Sequence, residues 1–218
     1  MKNRLTDEGL VVVLRAVQQE QLEPLAQALY DGGVRIVEVA FEPQKKDTAM
    51  QTAHSIELLR KYMGSRMIIG AGTCICMEYL EAAHAAGAQI IVSPDTQPSI
   101  IEKTKAWGML SLPGAYTPTE AVTAWKSGAD AVKLFPVSTE NIGHLRNLSR
   151  PLAHIPFFCF GGCNEKTISM FFEAGTVGVG TGISIVKPEL LRAEKYRAIE
   201  ELARQHVEAI RRVRQTIK

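Results

Sequence analysis

No stretch of this 218-residue sequence is long and apolar enough to cross a membrane. The first residues, Met1 to Leu10, hold neither an apolar core segment nor a cleavage pattern, so no export signal is expected and the expected location is the cytoplasm. Charge of one sign is lacking too: 25 Lys and Arg stand against 23 Asp and Glu, for a net charge of +2. So small an excess gives no electrostatic reason to expect nucleic acid or an anionic membrane as a partner. Cysteine is scarce, at four residues, which argues against a disulfide framework. Cys74-Ile75-Cys76 and Cys159-x-x-x-Cys163 lack the usual two-residue spacer of thiolate metal sites, and Cys159 falls inside an apolar run, so buried free thiols and no metal are expected. The five histidines (His54, His84, His144, His154 and His206) are scattered without metal-ligand spacing, which weighs against a metal-dependent lyase. There is no linker or low-complexity segment, and residues 1–218 read as a single domain.

What is present is a regular alternation of short apolar runs and helical stretches. Eight runs read as strands: Val11–Arg15, Arg35–Ala40, Arg66–Gly70, Gln89–Ser93, Met109–Leu112, Ala129–Phe135, Ile155–Phe160 and Thr176–Gly180. They are apolar throughout rather than alternating, as strands buried on both faces are. Between them apolar residues recur at helical spacing, as in Leu22, Leu25, Ala26, Leu29 and Tyr30. Gly33, Gly87, Gly108, Gly128 and Gly175 each fall between a helical stretch and the next strand, where a helix C-terminus wants glycine. Thr117-Pro118-Thr119-Glu120 reads as a capping box. Eight strand–helix units in this length predict an α/β fold, a small (β/α)8 TIM barrel, with an open doubly wound sheet as the alternative. Asn3 to Gly9 is expected to form a short helix closing the barrel bottom, and Pro188 to Ile217 one long last helix.

The chemistry of such a barrel gathers at the C-terminal ends of its strands. Lys133 sits near the end of the apolar run Ala129–Pro136. Burial there disfavours the ammonium, and a neutral amine is a nucleophile for a carbonyl. The competing reading is a lysine whose stem packs on the strand while its head reaches water. A period of two places Ala131, Lys133 and Phe135 on one face of the sixth strand. It does the same for Val34, Ile36 and Glu38 on the second, Val11, Val13 and Arg15 on the first, and Ile69, Ala71 and Thr73 on the third. Lys133, Glu38, Arg15 and Thr73 would then share one level, at a cost unless they serve each other or a ligand. By residue type, Lys133 would be the Schiff-base nucleophile and Glu38 the general acid/base. Arg15 would clamp a carboxylate, and Thr73 would donate to the same group. The glycine-rich segments Phe160-Gly161-Gly162-Cys163-Asn164 and Gly178-Val179-Gly180-Thr181-Gly182 follow the last two strands, where barrels often hold phosphate on backbone N–H groups. Gly161, Gly162, Gly180 and Gly182 are therefore candidate binding residues.

Several of these segments, in this order, resemble a known family. They are Val12-Val13-Leu14-Arg15-Ala16, Gly32-Gly33-Val34-Arg35-Ile36-Val37-Glu38-Val39, Ile69-Gly70-Ala71-Gly72-Thr73, Ile91-Val92-Ser93-Pro94, Leu112-Pro113-Gly114-x-x-Thr117-Pro118-Thr119-Glu120 and Lys133-Leu134-Phe135-Pro136. The chain is similar, from about residue 10 to 187, to the class I pyruvate aldolases that cleave 2-keto-3-deoxy-6-phosphogluconate (KDPG) and 4-hydroxy-2-oxoglutarate (KHG). The resemblance implies a carbon–carbon lyase, with Lys133 forming the Schiff base and Glu38 carrying protons. It also implies Pro94 and Phe135 at the keto-acid site, a homotrimer, and no metal or organic cofactor. Three positions depart from the family pattern: Glu42 where many members have arginine, Phe160 where many have threonine, and Ile183 where many have serine, with Ser184 one residue later. The pyruvate half of the site is thus expected to be kept, while the aldehyde half points to an unphosphorylated aldehyde or an atypical phosphosugar. Two other functions fit the same scaffold: a phosphosugar isomerase or epimerase using Lys133 and Glu38 as acid and base, and an inactive sugar-acid-binding barrel.

Overall fold

A computed structural model describes residues 2–217. The chain opens with α1 (Lys2–Glu8), β1 (Leu10–Leu14), α2 (Gln19–Asp31), β2 (Ile36–Ala40), α3 (Thr48–Met63) and β3 (Ile68–Gly72). It continues through α4 (Met77–Ala85), β4 (Ile90–Val92), α5 (Pro98–Ala106), β5 (Leu110–Leu112), β6 (Gly114–Ala115) and α6 (Pro118–Lys126). It ends with β7 (Val132–Val137), α7 (Ile142–Ser149), β8 (Phe157–Gly161), α8 (Ile168–Glu173), β9 (Gly178–Thr181), α9 (Pro188–Arg192) and α10 (Tyr196–Thr216). All strand pairs are parallel, in the order β5-β4-β3-β2-β1-β9-β8-β7-β6. This is the expected barrel with one correction: nine strands, not eight. The fifth stave breaks at Pro113, which has no N–H to give a ladder. Below the break β5 pairs with β4, and above it β6 pairs with β7, so the ring closes through the chain itself. The Pro113 carbonyl still accepts from the Lys133 N–H at 2.8 Å.

Two apolar layers hold the strands, which is why their sequences are apolar on both faces. The inner layer includes Val11, Ile36, Ile68, Ile90, Val92, Leu110, Leu112, Ala131, Phe158 and Phe160, and Leu5 of α1 joins it from below. The expected closing helix is therefore present. Arg214 of α10 ties it down by donating to the carbonyls of Thr6 (2.6 Å) and Val177 (2.8 Å). The outer layer packs the opposite strand faces against the helices; α2, for example, buries Leu22, Leu25, Ala26, Ala28 and Leu29. The five expected helix-ending glycines all have positive φ, from 75° at Gly108 to 107° at Gly175. The capping box at Thr117 forms in both directions, Thr117 accepting from the Glu120 N–H and Glu120 from the Thr117 N–H.

Other expectations need correction. The third strand is Ile68–Gly72, and its phase is opposite to that expected: Ile69 and Ala71 lie in the outer layer, while Ile68 faces inward. Gly70 and Gly72 share the Ile68 face, and with no side chains they left no pattern to read. Val34 precedes β2 and also belongs to the outer layer. The single long last helix is two, α9 and α10, with Glu194 at φ 50° between them.

The inner layer fits because β9 offers Gly178 and Gly180 to the rings of β8. A Cβ on Gly178 would overlap the Phe158 ring, and one on Gly180 would overlap Phe160. Gly178→Ala is expected to cost about 2–3 kcal/mol by overpacking. Adding Phe158→Leu should return part of that loss, as read from urea unfolding midpoints of the single and double variants.

Candidate active site

At the C-terminal ends of the strands lies a cleft of ≈ 640 Å³. Lys133, Glu38, Arg15, Thr73, Pro94, Phe135, Gly161, Gly180 and Gly182 all line it. Of the candidate residues only Gly162 does not. Its N–H is spent on the Val137 carbonyl at 3.0 Å, and a Cβ there would face Ser138.

Lys133 stands on β7, level with Gly114 of β6 and Phe158 of β8. It is 7% exposed, so the solvent-reaching alternative does not hold. Its Nζ lies 4.4 Å from the centroid of the Phe160 ring and 5.1 Å from that of Phe135. These ring faces recover a little of what burial costs an ammonium. Burial nonetheless holds the Lys133 pKa below its ordinary value; the nearby Glu38 carboxylate opposes the shift and Arg15 adds to it.

Glu38, on β2, is 2% exposed. Burial raises its pKa, against the pull of Lys133 and then of Arg15. Its Oε2 is buried and has no hydrogen-bond partner among the described residues. A buried carboxyl oxygen without a partner is costly and invites a ligand or water. The carboxyl lies flat on the bare backbone of Gly72, where a Cβ would come within 2.8 Å of Cδ and Oε1. Glycine is required here by the acid that rests on it.

Arg15 and Thr73 reach the cleft from just beyond β1 and β3. Arg15 Nη2 donates to Thr73 Oγ1 at 3.4 Å. Thr73 is at φ 59°, and Ala16, beside Arg15, is at φ 53°. Such left-handed conformations cost non-glycine residues roughly 1–2 kcal/mol each, and a β-branched residue is a true outlier there. This twist, not the strand alternation, brings Thr73 into the site. Strain of this kind gathers where a binding geometry must be held.

Glu42 takes no part in the cleft. It pairs with Lys45, its N–H donates to Thr48 Oγ1 at 2.7 Å, and it faces a separate hollow. Among the described residues Arg15 is therefore the only guanidinium lining the cleft. The rest of the lining includes Val13, Ala16, Phe160, Ile183, Val186 and Pro188. Val13 was legible from its alternation with Val11 and Arg15. Ala16 and Val186 lie in turns past strand ends, where no period marks direction, while Thr181 ends β9 and Pro188 opens α9. Ser184 turns away from the cleft: its hydroxyl meets Thr181 Oγ1 and lies 3.1 Å from Nε2 of the fully buried His206. The thiols of Cys74, Cys159 and Cys163 are buried in the outer layer, which pushes each pKa up to about 12. Among the described residues no cluster of three or more His, Cys, Asp or Glu side chains is placed to hold a metal ion.

A 2-dehydro-3-deoxy-6-phosphogalactonate aldolase of Escherichia coli K12 is 29% identical over 210 residues, covering 96% of each chain. A 2-dehydro-3-deoxy-phosphogluconate aldolase of Treponema pallidum is 28% identical, covering 92% of this chain and 94% of its own. A solved structure of native KDPGal, 28% identical, superposes with a TM-score of 0.85 over 94% of this chain and 96% of that one. The family model described as "Aldolase: KDPG and KHG aldolase" matches residues 1–202. With that match over nearly its whole length, the chain belongs to the KDPG and KHG aldolase family.

Proposed function

We propose that the protein is a class I aldolase that cleaves a 4-hydroxy-2-oxo acid of the 2-keto-3-deoxy sugar-acid type to pyruvate and an aldehyde. The observation that carries this is the pairing, in one cleft, of a buried lysine of lowered pKa with a buried carboxyl of raised pKa. Groups tuned toward each other in this way serve proton transfer and amine nucleophilicity near neutral pH.

In this mechanism Lys133 Nζ adds to the C2 carbonyl, and loss of water gives an iminium ion. Arg15 holds the C1 carboxylate and Thr73 supports it. The iminium withdraws electrons from C3. When the C4 hydroxyl gives up its proton, the C3–C4 bond breaks: C4 leaves as the aldehyde and C3 becomes the carbon of an enamine. Glu38 takes the hydroxyl proton, directly or through a water on its unpaired Oε2, and returns a proton to C3. Water then hydrolyses the imine and releases pyruvate, so the water lost in the first step is regained. The phenyl rings of Phe135 and Phe160 keep bulk water from the amine. No metal or organic cofactor enters this scheme. We place the enzyme in the cytoplasm and its working unit as a homotrimer, in line with the sequence resemblance.

Four outcomes are expected. Borohydride in the presence of pyruvate should add one reduced pyruvate to Lys133, as mapped by peptide mass spectrometry. Lys133→Met should abolish both the adduct and turnover while raising thermal stability, because the burial cost of the ammonium is removed. The sign follows from the lowered pKa: the cost is full below the folded-state pKa and fades as pH climbs toward the ordinary 10.5, so the gain in melting temperature should be largest at low pH. Glu38→Gln should still bind pyruvate but slow proton exchange at its methyl group by about 10²–10⁴-fold, as followed by NMR; unchanged exchange would remove Glu38 from the mechanism. Light scattering should return three times the monomer mass, and a monomer or dimer would reject the trimer.

A further inference from the structure

The buried face of α10 carries Ile199, Ala203, Ala209, Ile210 and Val213, and among them stands one imidazole, His206, with no exposed surface. An aliphatic side chain would fill that place without the cost of burying two ring nitrogens. Both nitrogens are in use. The Leu202 carbonyl, 2.7 Å from Nδ1, can only accept, so Nδ1 carries the hydrogen. In the neutral ring Nε2 is then bare, and the Ser184 hydroxyl, 3.1 Å away, donates to it. Burial holds the His206 pKa below its ordinary value, against the Leu202 carbonyl and the Glu165 carboxylate, and so keeps the ring neutral. Glu165 Oε2, in the turn after β8, lies 3.9 Å from the same Nε2.

Ser184 belongs to the segment that leads from β9 into α9, and that segment is a large part of the cleft: Thr181, Gly182, Ile183, Val186 and Pro188 all line it. Ile185 and Val186 donate to the Gly182 carbonyl at 3.0 and 2.7 Å, whereas the amides of Gly182, Ile183 and Ser184 meet no acceptor among the described residues. The Ser184 side chain fixes this turn from behind. Its oxygen meets Thr181 Oγ1, which also reaches the Cys163 carbonyl at 3.3 Å, and its hydrogen goes to His206. A line of hydrogen bonds thus runs from Thr181 at the cleft wall through Ser184 and His206 to the backbone of α10. The chemistry at C1, C2 and C3 uses Lys133, Glu38, Arg15 and Thr73, none of them in this turn. The turn is left to meet the substrate beyond the bond that breaks.

We propose that His206 is a positioning residue: through the Ser184 hydroxyl it holds the turn of Gly182 and Ile183 in the arrangement that receives the leaving-aldehyde end of the substrate. The proposal rests on the aldolase reading above. His206 touches no reacting atom. Without its ring nitrogen as acceptor the turn samples other arrangements, and the apparent affinity for the whole substrate falls in proportion to the time spent out of place. Pyruvate alone does not extend to this turn, so its capture by Lys133 is unaffected.

The test uses His206→Leu, Ser184→Ala and the two together, with His206→Gln as the rescue. Pyruvate release is followed from the 6-phosphates of 2-keto-3-deoxygluconate and 2-keto-3-deoxygalactonate and from 4-hydroxy-2-oxoglutarate. Borohydride trapping of Lys133 is followed over a range of pyruvate concentrations. For the acid that the wild-type enzyme cleaves fastest, His206→Leu and Ser184→Ala should each raise KM by about tenfold, the size of one lost hydrogen bond, with kcat within about twofold. The double variant should do no worse than either single one, because both remove the same bond. His206→Gln, whose amide oxygen accepts the same hydrogen, should recover most of the loss. The pyruvate concentration that half-saturates trapping should stay the same throughout. An unchanged KM in Ser184→Ala, additive losses in the double variant, or trapping that weakens in step with KM would overturn the proposal, and Ser184→Ala decides alone if His206→Leu does not fold. A wild-type enzyme that neither traps pyruvate nor releases it from any of these acids would instead overturn the aldolase reading.

Discussion

A single ammonium-bearing side chain, kept from water inside a ring of parallel strands, sets the terms for everything around it. Lys133 is surrounded by Ala131, Phe158 and Phe160 of the inner layer. Its burial would be ruinous without Glu38 across the barrel and two ring faces beside it. Each of those partners in turn requires something smaller. The Phe160 ring fits because β9 carries glycine at 180, as its neighbour Phe158 fits against Gly178. The Glu38 carboxyl fits because β3 carries glycine at 72. The top of the barrel is thus a set of large functional groups accommodated by missing side chains, and those glycines are as much part of the site as the residues that react.

The inward groups on β1, β2 and β7 were readable because each continues an apolar alternation: Val11 and Val13 lead to Arg15, Ile36 to Glu38, and Ala131 to Lys133. On β3 the same logic failed. Its inner face is occupied by Ile68 and two glycines, so the visible apolar pair Ile69 and Ala71 belongs to the helix side. Thr73 reached the site for another reason, its left-handed backbone, which no periodicity reports. The split of the fifth stave follows from Pro113, a residue in plain view whose effect depends on which neighbour each half pairs with. The break between the last two helices turns on Glu194, which no composition signal marks.

The contrast between the two halves of the cleft has a physical origin. The part around Lys133 and Glu38 is built from strand interiors and strand ends, where neighbouring ladders and two apolar layers leave little freedom. The other part of the lining comes from the turns after β8 and β9, held by short-range bonds at Asn164, Thr167 and the Gly182 carbonyl. Turns of this kind accept new residues without disturbing the ladders beneath them. Family membership therefore speaks more directly to the amine chemistry than to what lies on the far side of the broken bond.

The contact between His206 and Ser184 gives the last helix a second office. Along most of its length α10 is a cover, pressing Ile199, Ala203, Ile210 and Val213 onto the barrel wall. At His206 it becomes a tether for the very turn that carries Ile183, one residue from Ser184. The last helix and the mouth of the cleft are in this way mechanically joined: a shift of the helix by a fraction of its pitch would be passed, through one imidazole and one hydroxyl, to the turn on which Ile183 lines the cleft.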